Sequence, residues 1–401
     1  MNEQTKRKIS EYYNTALDRI KNIHIDCFEG SDKPVFLISD TYPGIWLEHV
    51  YDSVIFAKME NDYLFAAKNT LELFIDNQLE SGQLPCFVID KKRGPNWTPC
   101  GYSQIQECVS FASLCYEYFE MSDDAEFLNK AYTACEKWVN WYRQNRMRGE
   151  SGLVEMYCGY DTGHDNSPRM TGMTYKETAR DENAENYPTG DDVLPVLAPD
   201  INAVYYGNLV ALSKMAKALG KKTEENDYIK EADLIKSLVI KHLYDSEDDF
   251  FYDTDKNGNR RKYLSISVTN VLTEHLPDRD MAERIIEKHI LNPKEFYTEY
   301  PFPSIAKSDA AFTQNASGNS WGFYSQALTI LRCTRWMDYY GYGDVFNKVL
   351  EKWVRQWTFC NDIMFGQELN PITGKNSDCS EWYSSCMLVY IYAVRRLKII
   401  D

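Results

Sequence analysis

Two carboxylates in this chain sit where side-chain chemistry is easily staged. Asp165 lies in Tyr160-Asp161-Thr162-Gly163-His164-Asp165-Asn166-Ser167-Pro168-Arg169, and Glu368, far along the chain, in Phe365-Gly366-Gln367-Glu368-Leu369-Asn370-Pro371-Ile372-Thr373-Gly374. Gly, Pro and Asn turn the backbone in both segments, so that a side chain can project into a cleft. Two such carboxyl groups flanked by aromatic and amide residues meet the needs of glycosidic bond cleavage: an acid to protonate the leaving oxygen and a base to activate water. Desolvation in a long loop near aromatics would keep Asp165 protonated near neutral pH. Glu368, facing it across a cleft, would hold and deprotonate the water. Taken singly, each is also an ordinary turn residue, Asp165 as a cap ahead of Ser167-Pro168 and Glu368 as a solvated loop carboxylate. Asp161 is the spare acid, and Glu381 and Asp378 are the spare bases.

Other chemistries find less support. The six His (His24, His49, His164, His242, His275 and His289) form no HxxxH or HxH pair, which argues against zinc. Eleven Cys, without a CxxC pair, include Cys108, Cys115, Cys135, Cys333 and Cys386 in apolar runs, where a reduced thiol acts as a small hydrophobe. Asp253-Thr254-Asp255-Lys256-Asn257-Gly258 imitates the start of an EF-hand loop, but its twelfth position is Leu264, so a hairpin turn is preferred to calcium. No phosphate loop or nucleophile elbow occurs. Neither a metal nor a cofactor is expected.

The elements that must position the carboxylates are helices. Apolar periodicity predicts about twelve, near 4–23, 44–58, 60–78, 102–120, 124–145, 200–219, 222–242, 265–275, 278–291, 321–341, 343–360 and 379–398. They fall into pairs whose second member is often the more charged, as in Glu224 to Lys241 against Ile201 to Ala218, which implies an apolar inner ring and a solvated outer one. Long connectors at 80–101, 146–199, 292–320 and 361–378 hold the unusual residues and would build a cleft at one end. A small hairpin is expected there, with Phe250-Phe251-Tyr252 pairing Arg261-Lys262-Tyr263. Nothing resembles a linker, so residues 1–401 read as one domain.

Composition narrows the partners. A net charge of −16 disfavours nucleic acid, which needs a cationic patch, and anionic membranes alike. No apolar run reaches the roughly 20 residues of a membrane span and the amino terminus has no signal-peptide core, so a cytoplasmic protein is expected. The sequons at Asn96 and Asn315 then carry no meaning. Aromatics make up 14% of the chain, a surplus suited to stacking on sugar rings.

Several motifs in order carry a resemblance. Gly163-His164-Asp165-Asn166-Ser167-Pro168-Arg169 is similar to the G-x-D-N-S-P-R segment of the (α/α)6-barrel glycoside hydrolases of the α-glucosidase I, trehalase and mannosylglycerate hydrolase group, most closely the bacterial mannosylglycerate-hydrolase-like branch. Asn370-Pro371-Ile372-Thr373-Gly374 resembles its E-x-x-N-P-x-T-G segment, Asp52-Ser53 its W-D-S, and Gly82-Gln83-Leu84-Pro85 its G-x-x-P. Pro199-Asp200-Ile201-Asn202-Ala203, Pro303-Ser304-Ile305-Ala306 and Gly318-Asn319-Ser320-Trp321 complete the series. Two departures stand out: Gln367 occupies the usual place of the Glu, with Glu368 one residue later, and the residue before Asp52 is Tyr51, the nearest Trp being Trp46.

The resemblance implies an all-α (α/α)6 toroid with long loops and small hairpins at the active-site end. It also implies an inverting exo-α-glycosidase acting on a small oligosaccharide or glycoside, glucosyl or mannosyl, with Asp165 as general acid and Glu368 as general base. Arg169, Gln104, Asn202 and Asp52 become candidates for binding sugar hydroxyls, and Trp321, Trp382 and Trp46 for stacking on rings. Two rivals are carried forward: lysis or epimerisation on the same toroid, and a non-catalytic sugar-binding protein, suggested by Gln367.

Overall fold

The computed structural model describes residues 2–176, 178–179, 182–313, 317–377 and 379–400. Asp378 and Asn315, named above, lie outside them. Twelve α-helices follow in order: α1 Glu3–Arg19, α2 Val50–Met59, α3 Leu64–Asp76, α4 Phe111–Ser122, α5 Ala125–Asn145, α6 Pro199–Ala218, α7 Lys222–Leu243, α8 Val268–Thr273, α9 Arg279–Ile285, α10 Ala327–Trp336, α11 Gly343–Cys360 and α12 Ser384–Arg396. Their ends are chemically marked. Asn2 accepts the Thr5 N–H at 2.8 Å to start α1, Asp124 accepts that of Phe127 to start α5, and Asp278 that of Met281 to start α9. Pro199 opens α6, and α4 stops where Asp123 turns left-handed.

The even-numbered helices pack in succession, α2 on α4, α4 on α6, α6 on α8, α8 on α10 and α10 on α12, and α12 returns to α2. That closes an inner ring. Outside it α3 rests on α2 and α4, α5 on α4 and α6, α7 on α6, α11 on α12, and α1 on α11 and α12. The sequence explains which helix goes where. In α6 nearly every position is buried, whereas α7 buries only the stripe Tyr228, Ala232, Ile235, Val239 and Leu243. Each large aliphatic of that stripe stabilises the docked helix by about 1.5–3 kcal/mol.

Several inner helices start later than periodicity predicts. Gly44–Trp46 is extended and pairs with Phe87–Ile89, so α2 begins only at Val50. Ser325–Gln326 pairs with Glu368–Leu369, so α10 begins at Ala327. The apolar run continues through both stretches because the extended residues are buried as well, and helical periodicity does not separate the two. The expected hairpin is also re-registered: Phe250–Phe251 pairs back with Tyr244–Asp245, and the Asn- and Gly-containing turn joins Asp253–Thr254 to Arg260–Arg261. Among the described residues all eleven cysteines are free, and no helix is long and apolar enough to cross a membrane.

Candidate active site

The residues just ahead of α2 and α4 meet three of the long connectors, 80–101, 146–199 and 292–320, at the amino-terminal end of the inner helices. There they enclose a cavity of about 260 Å³ lined by Tyr42, Trp46, Glu48, His49, Phe87, Trp97, Ser103, Gln104, Gln106, Tyr160, Asp165, Thr178 and Asn319. One wall is aromatic: the Trp46 ring meets Tyr42 edge-on at 5.1 Å, Phe87 at 5.4 Å and Trp97 at 5.9 Å. The facing wall is polar, with Gln104 donating to Gln106 at 2.8 Å and Gln106 to Glu48 at 3.3 Å. Such a division suits a pyranose, whose ring face is apolar and whose rim is hydroxyl.

Asp165 stands on this cavity. Its Oδ2 accepts the Asn319 side-chain amide at 2.8 Å, and its backbone carbonyl accepts the Trp321 N–H at 2.9 Å. Gly163 makes the approach of this loop possible: its φ is +70°, and a Cβ there would stand 2.7 Å from Glu48 Oε2 and 2.9 Å from Cys108 Sγ. Trp321 is buried against His164, the rings stacked at 4.2 Å. Burial and the neighbouring Arg169 charge push the His164 pKa down to about 3, so the imidazole is neutral and accepts from Arg169 at 2.9 Å through Nδ1.

Glu368 does not face Asp165 across the cavity as expected: it does not line the cavity and is fully buried behind Asn319, because Glu368–Leu369 is drawn inward by pairing with Ser325–Gln326. Its Oε1 accepts the Asn319 N–H at 2.7 Å, and its Oε2 accepts the Ser320 N–H at 3.2 Å and the Gln326 amide at 2.6 Å. Burial raises its pKa, and the bonds from Ser377, Gln326, Asn319 and Ser320 work against that rise. Gln367, in the place where the motif usually carries its Glu, instead donates to the side-chain oxygen of Asn319 at 3.2 Å and accepts from the Tyr42 hydroxyl at 3.2 Å. Asn319 therefore touches Asp165, Glu368 and Gln367 at once.

The other nominated residues divide. Trp46 and Gln104 line the cavity, and Trp321 backs Asp165. Asp52 does not reach it: its Oδ2 is held by the Ser384 and Ser385 hydroxyls at 2.5 and 2.7 Å in the ring interior, and burial lifts its pKa to about 6. Arg169 is buried with all five N–H groups engaged, by Asp200 at 2.6 and 3.1 Å, Asp253 at 2.9 and 2.6 Å, and His164. Both carboxylate oxygens of Asp253 are therefore taken up by Arg169. Asn202 ties α6 to the Val154 backbone through both ends of its amide, at 2.8 and 2.9 Å. Trp382 lies under the Arg19 guanidinium at 3.8 Å. Of the spare carboxylates, Asp161 pairs with Arg146 at 2.6 Å in the interior and Glu381 is exposed.

Glu48 was missed. It is 8% exposed and lines the same cavity as Asp165, with the Arg332 guanidinium 3.6 Å behind it. Burial raises its pKa to about 7, Arg332 opposing and Asp165 adding to the rise. The signal was present in Gly44-Ile45-Trp46-Leu47-Glu48-His49-Val50-Tyr51, where one carboxylate interrupts an apolar run, a costly placement for a merely structural residue.

A closed ring of six inner helices, sheathed by outer ones and opening at its amino-terminal end on a carboxyl-lined cavity, is the (α/α)6 barrel that the sequence led one to expect. The chain belongs to the family described as mannosylglycerate hydrolase MGH1-like glycoside hydrolase domain, whose profile matches residues 51–385. In fold it is similar to the GH63 mannosylglycerate hydrolase from Thermus thermophilus, solved in complex with glucose, with a TM-score of 0.73 and 15% identity over 95% of this chain and 99% of that one. The same enzyme in complex with Tris and D-glycerate gives 0.71 and 16%, over 96% and 99%. The neutral trehalase Nth1 from Saccharomyces cerevisiae gives 0.64 and 14%, over 92% of this chain and 74% of that one. A curated relative, an uncharacterized protein from Borreliella burgdorferi, is 26% identical over 141 residues, which span 35% of this chain and 29% of the relative.

Proposed function

We propose that residues 1–401 form one catalytic unit, an inverting exo-α-glycosidase that removes a single glucosyl or mannosyl unit from a small α-linked oligosaccharide or glycoside. The observation that carries the reading is the double contact of Asn319, which donates its side-chain amide to Asp165 and its backbone N–H to Glu368. Asp165 is the general acid, on the cavity wall where the leaving oxygen departs. Glu368 is the general base, held behind Asn319 next to Asp165, and Gln326 and Ser320 fix its orientation. A cavity of about 260 Å³ lies below the range of roughly 300–1,000 Å³ usual for drug-sized ligands and suits one ring, hence exo action.

Trp46 supplies the stacking face, and Glu48 and Gln104 bind ring hydroxyls. Support for a hydrolase over a lyase comes from the family and from these carboxyl groups; His49, the imidazole on the cavity wall, is held near pKa 3 by burial and by Arg332, a poor base for epimerisation. Eleven free thiols agree with a cytoplasmic setting. Glu48 gives a second reading as the base, because it faces the cavity directly whereas Glu368 stands behind Asn319. Glu48→Gln and Glu368→Gln, each assayed on nitrophenyl α-glycosides and natural disaccharides, decide between them: the base variant loses kcat, the sugar-binding variant loses mainly KM. Release of an unsaturated sugar would overturn hydrolysis, and no product from any member of the panel would favour a binding protein.

A further inference from the structure

Away from the cleft, on the outer face of α11, Lys348, Lys352, Arg355 and Phe359 recur at helical spacing and face Tyr297 and Tyr300 across a groove of about 600 Å³. Phe359 is 48% exposed and also borders a second groove, of about 590 Å³, against the start of α1, where Arg7 and Lys8 stand. The Lys8 ammonium lies 5.4 Å from the Phe359 ring, so the two grooves meet over that aromatic.

The floor is unusual. Gln356 is 1% exposed and lines the first groove, yet both ends of its side-chain amide lack a hydrogen-bond partner among the described residues. It occupies space left by Gly374, whose Cβ would stand 2.0 Å from Nε2. A buried amide in that condition calls for an outside partner. The rim is cationic on a chain of net charge −16: Arg7, Lys8, Lys348, Lys352 and Arg355 outnumber Glu11, Glu299 and Glu351, and none of the five forms an ion pair with a described residue.

We propose that the joined grooves are a second saccharide site, separate from the cleft, that takes an extended oligosaccharide carrying carboxylates. Phe359 stacks on one sugar ring, Gln356 bonds hydroxyls, and the cations pair with the carboxylates. The glycoside hydrolase assignment enters only in the choice of a sugar as occupant.

The test is calorimetric titration of the full chain with an oligogalacturonate. Binding is expected in wild type and in Asp165→Asn alike, to weaken with added salt, and to weaken at least about fivefold in Phe359→Ala. Lys352→Glu with Arg355→Glu should abolish it, while hydrolysis of a nitrophenyl glycoside by Phe359→Ala stays within about twofold of wild type. No binding, or binding untouched by these substitutions, overturns the site. Equal binding of maltohexaose overturns the role of charge, and equal binding of poly-glutamate overturns the saccharide. A dead glycoside panel with groove binding intact would remove the catalytic reading and leave this one standing.

Discussion

Glu48 and Asp165 stand on the wall of one cavity, where burial raises the pKa of Glu48 to about 7. The cavity end thus gathers three carboxyl groups, with Glu368 joined to Asp165 through Asn319, and their proposed roles are separable by experiment.

Replacing Asp165, the proposed acid, is the most direct. Asp165→Asn keeps the shape and the bond to Asn319 but cannot donate a proton to the leaving oxygen, so kcat on an unactivated glycoside should fall at least about a hundredfold. Circular dichroism and the melting temperature should stay near those of wild type. Near-normal turnover would end the assignment.

Stereochemistry tests Glu368 as the proposed base. With Glu368 directing water to the face opposite the leaving group, proton NMR in the first minutes should detect the β-anomer from an α-glycoside, and Glu368→Gln should abolish it. In Glu368→Ala, azide should restore turnover of an activated α-substrate as the β-glycosyl azide, since the small anion needs no deprotonation. Initial release of the α-sugar means retention and defeats the assignment of both carboxyl groups.

The Glu48 proton should be visible in stability. Its folded pKa, about 7, exceeds the ordinary 4.5, so the native state keeps a proton that the unfolded chain releases. The stability linked to it is full below pH 4.5 and is lost as pH rises through 7. Glu48→Gln, which never ionises, should therefore gain on wild type between pH 4.5 and pH 8, by on the order of 1–3 kcal/mol. Urea unfolding at the two pH values reads the difference, and a pH-independent gap would show that Glu48 titrates normally.

Arg169 should behave as structure. Arg169→Met leaves Asp200 and Asp253 buried without their shared cation, at a cost of about 3–5 kcal/mol. Denaturant midpoints should drop accordingly. If stability holds while KM alone rises, Arg169 binds substrate after all.

Leu243, by contrast, tests the outer ring. Leu243→Ala at the end of the α7 stripe removes a fully buried side chain and should cost about 2–5 kcal/mol, measured as the unfolding midpoint, with no change in KM. A change in KM without loss of stability would place α7 in contact with the site.

What the sequence alone determined is what depends on local order. Apolar residues at helical spacing require helices with one or all faces buried, as in α7 and α6, and helices joined in pairs of unequal burial close most readily into two concentric rings. The turn residues around Asp165 and Glu368 likewise mark loops wherever the chain goes next. Which polar group faces the cleft was decided only by the tertiary structure. An Arg, Asn or Asp that could bind a sugar can equally satisfy buried backbone or a buried charge, and only the partner brought by the fold separates the two uses. Arg169 meets Asp200 and Asp253, Asn202 meets the Val154 backbone, and Asp52 meets two serines, while Glu48, the carboxylate in an apolar run, is turned into the cavity by the extended stretch ahead of α2. Those meetings join residues far apart in the chain, and local sequence carries no record of them.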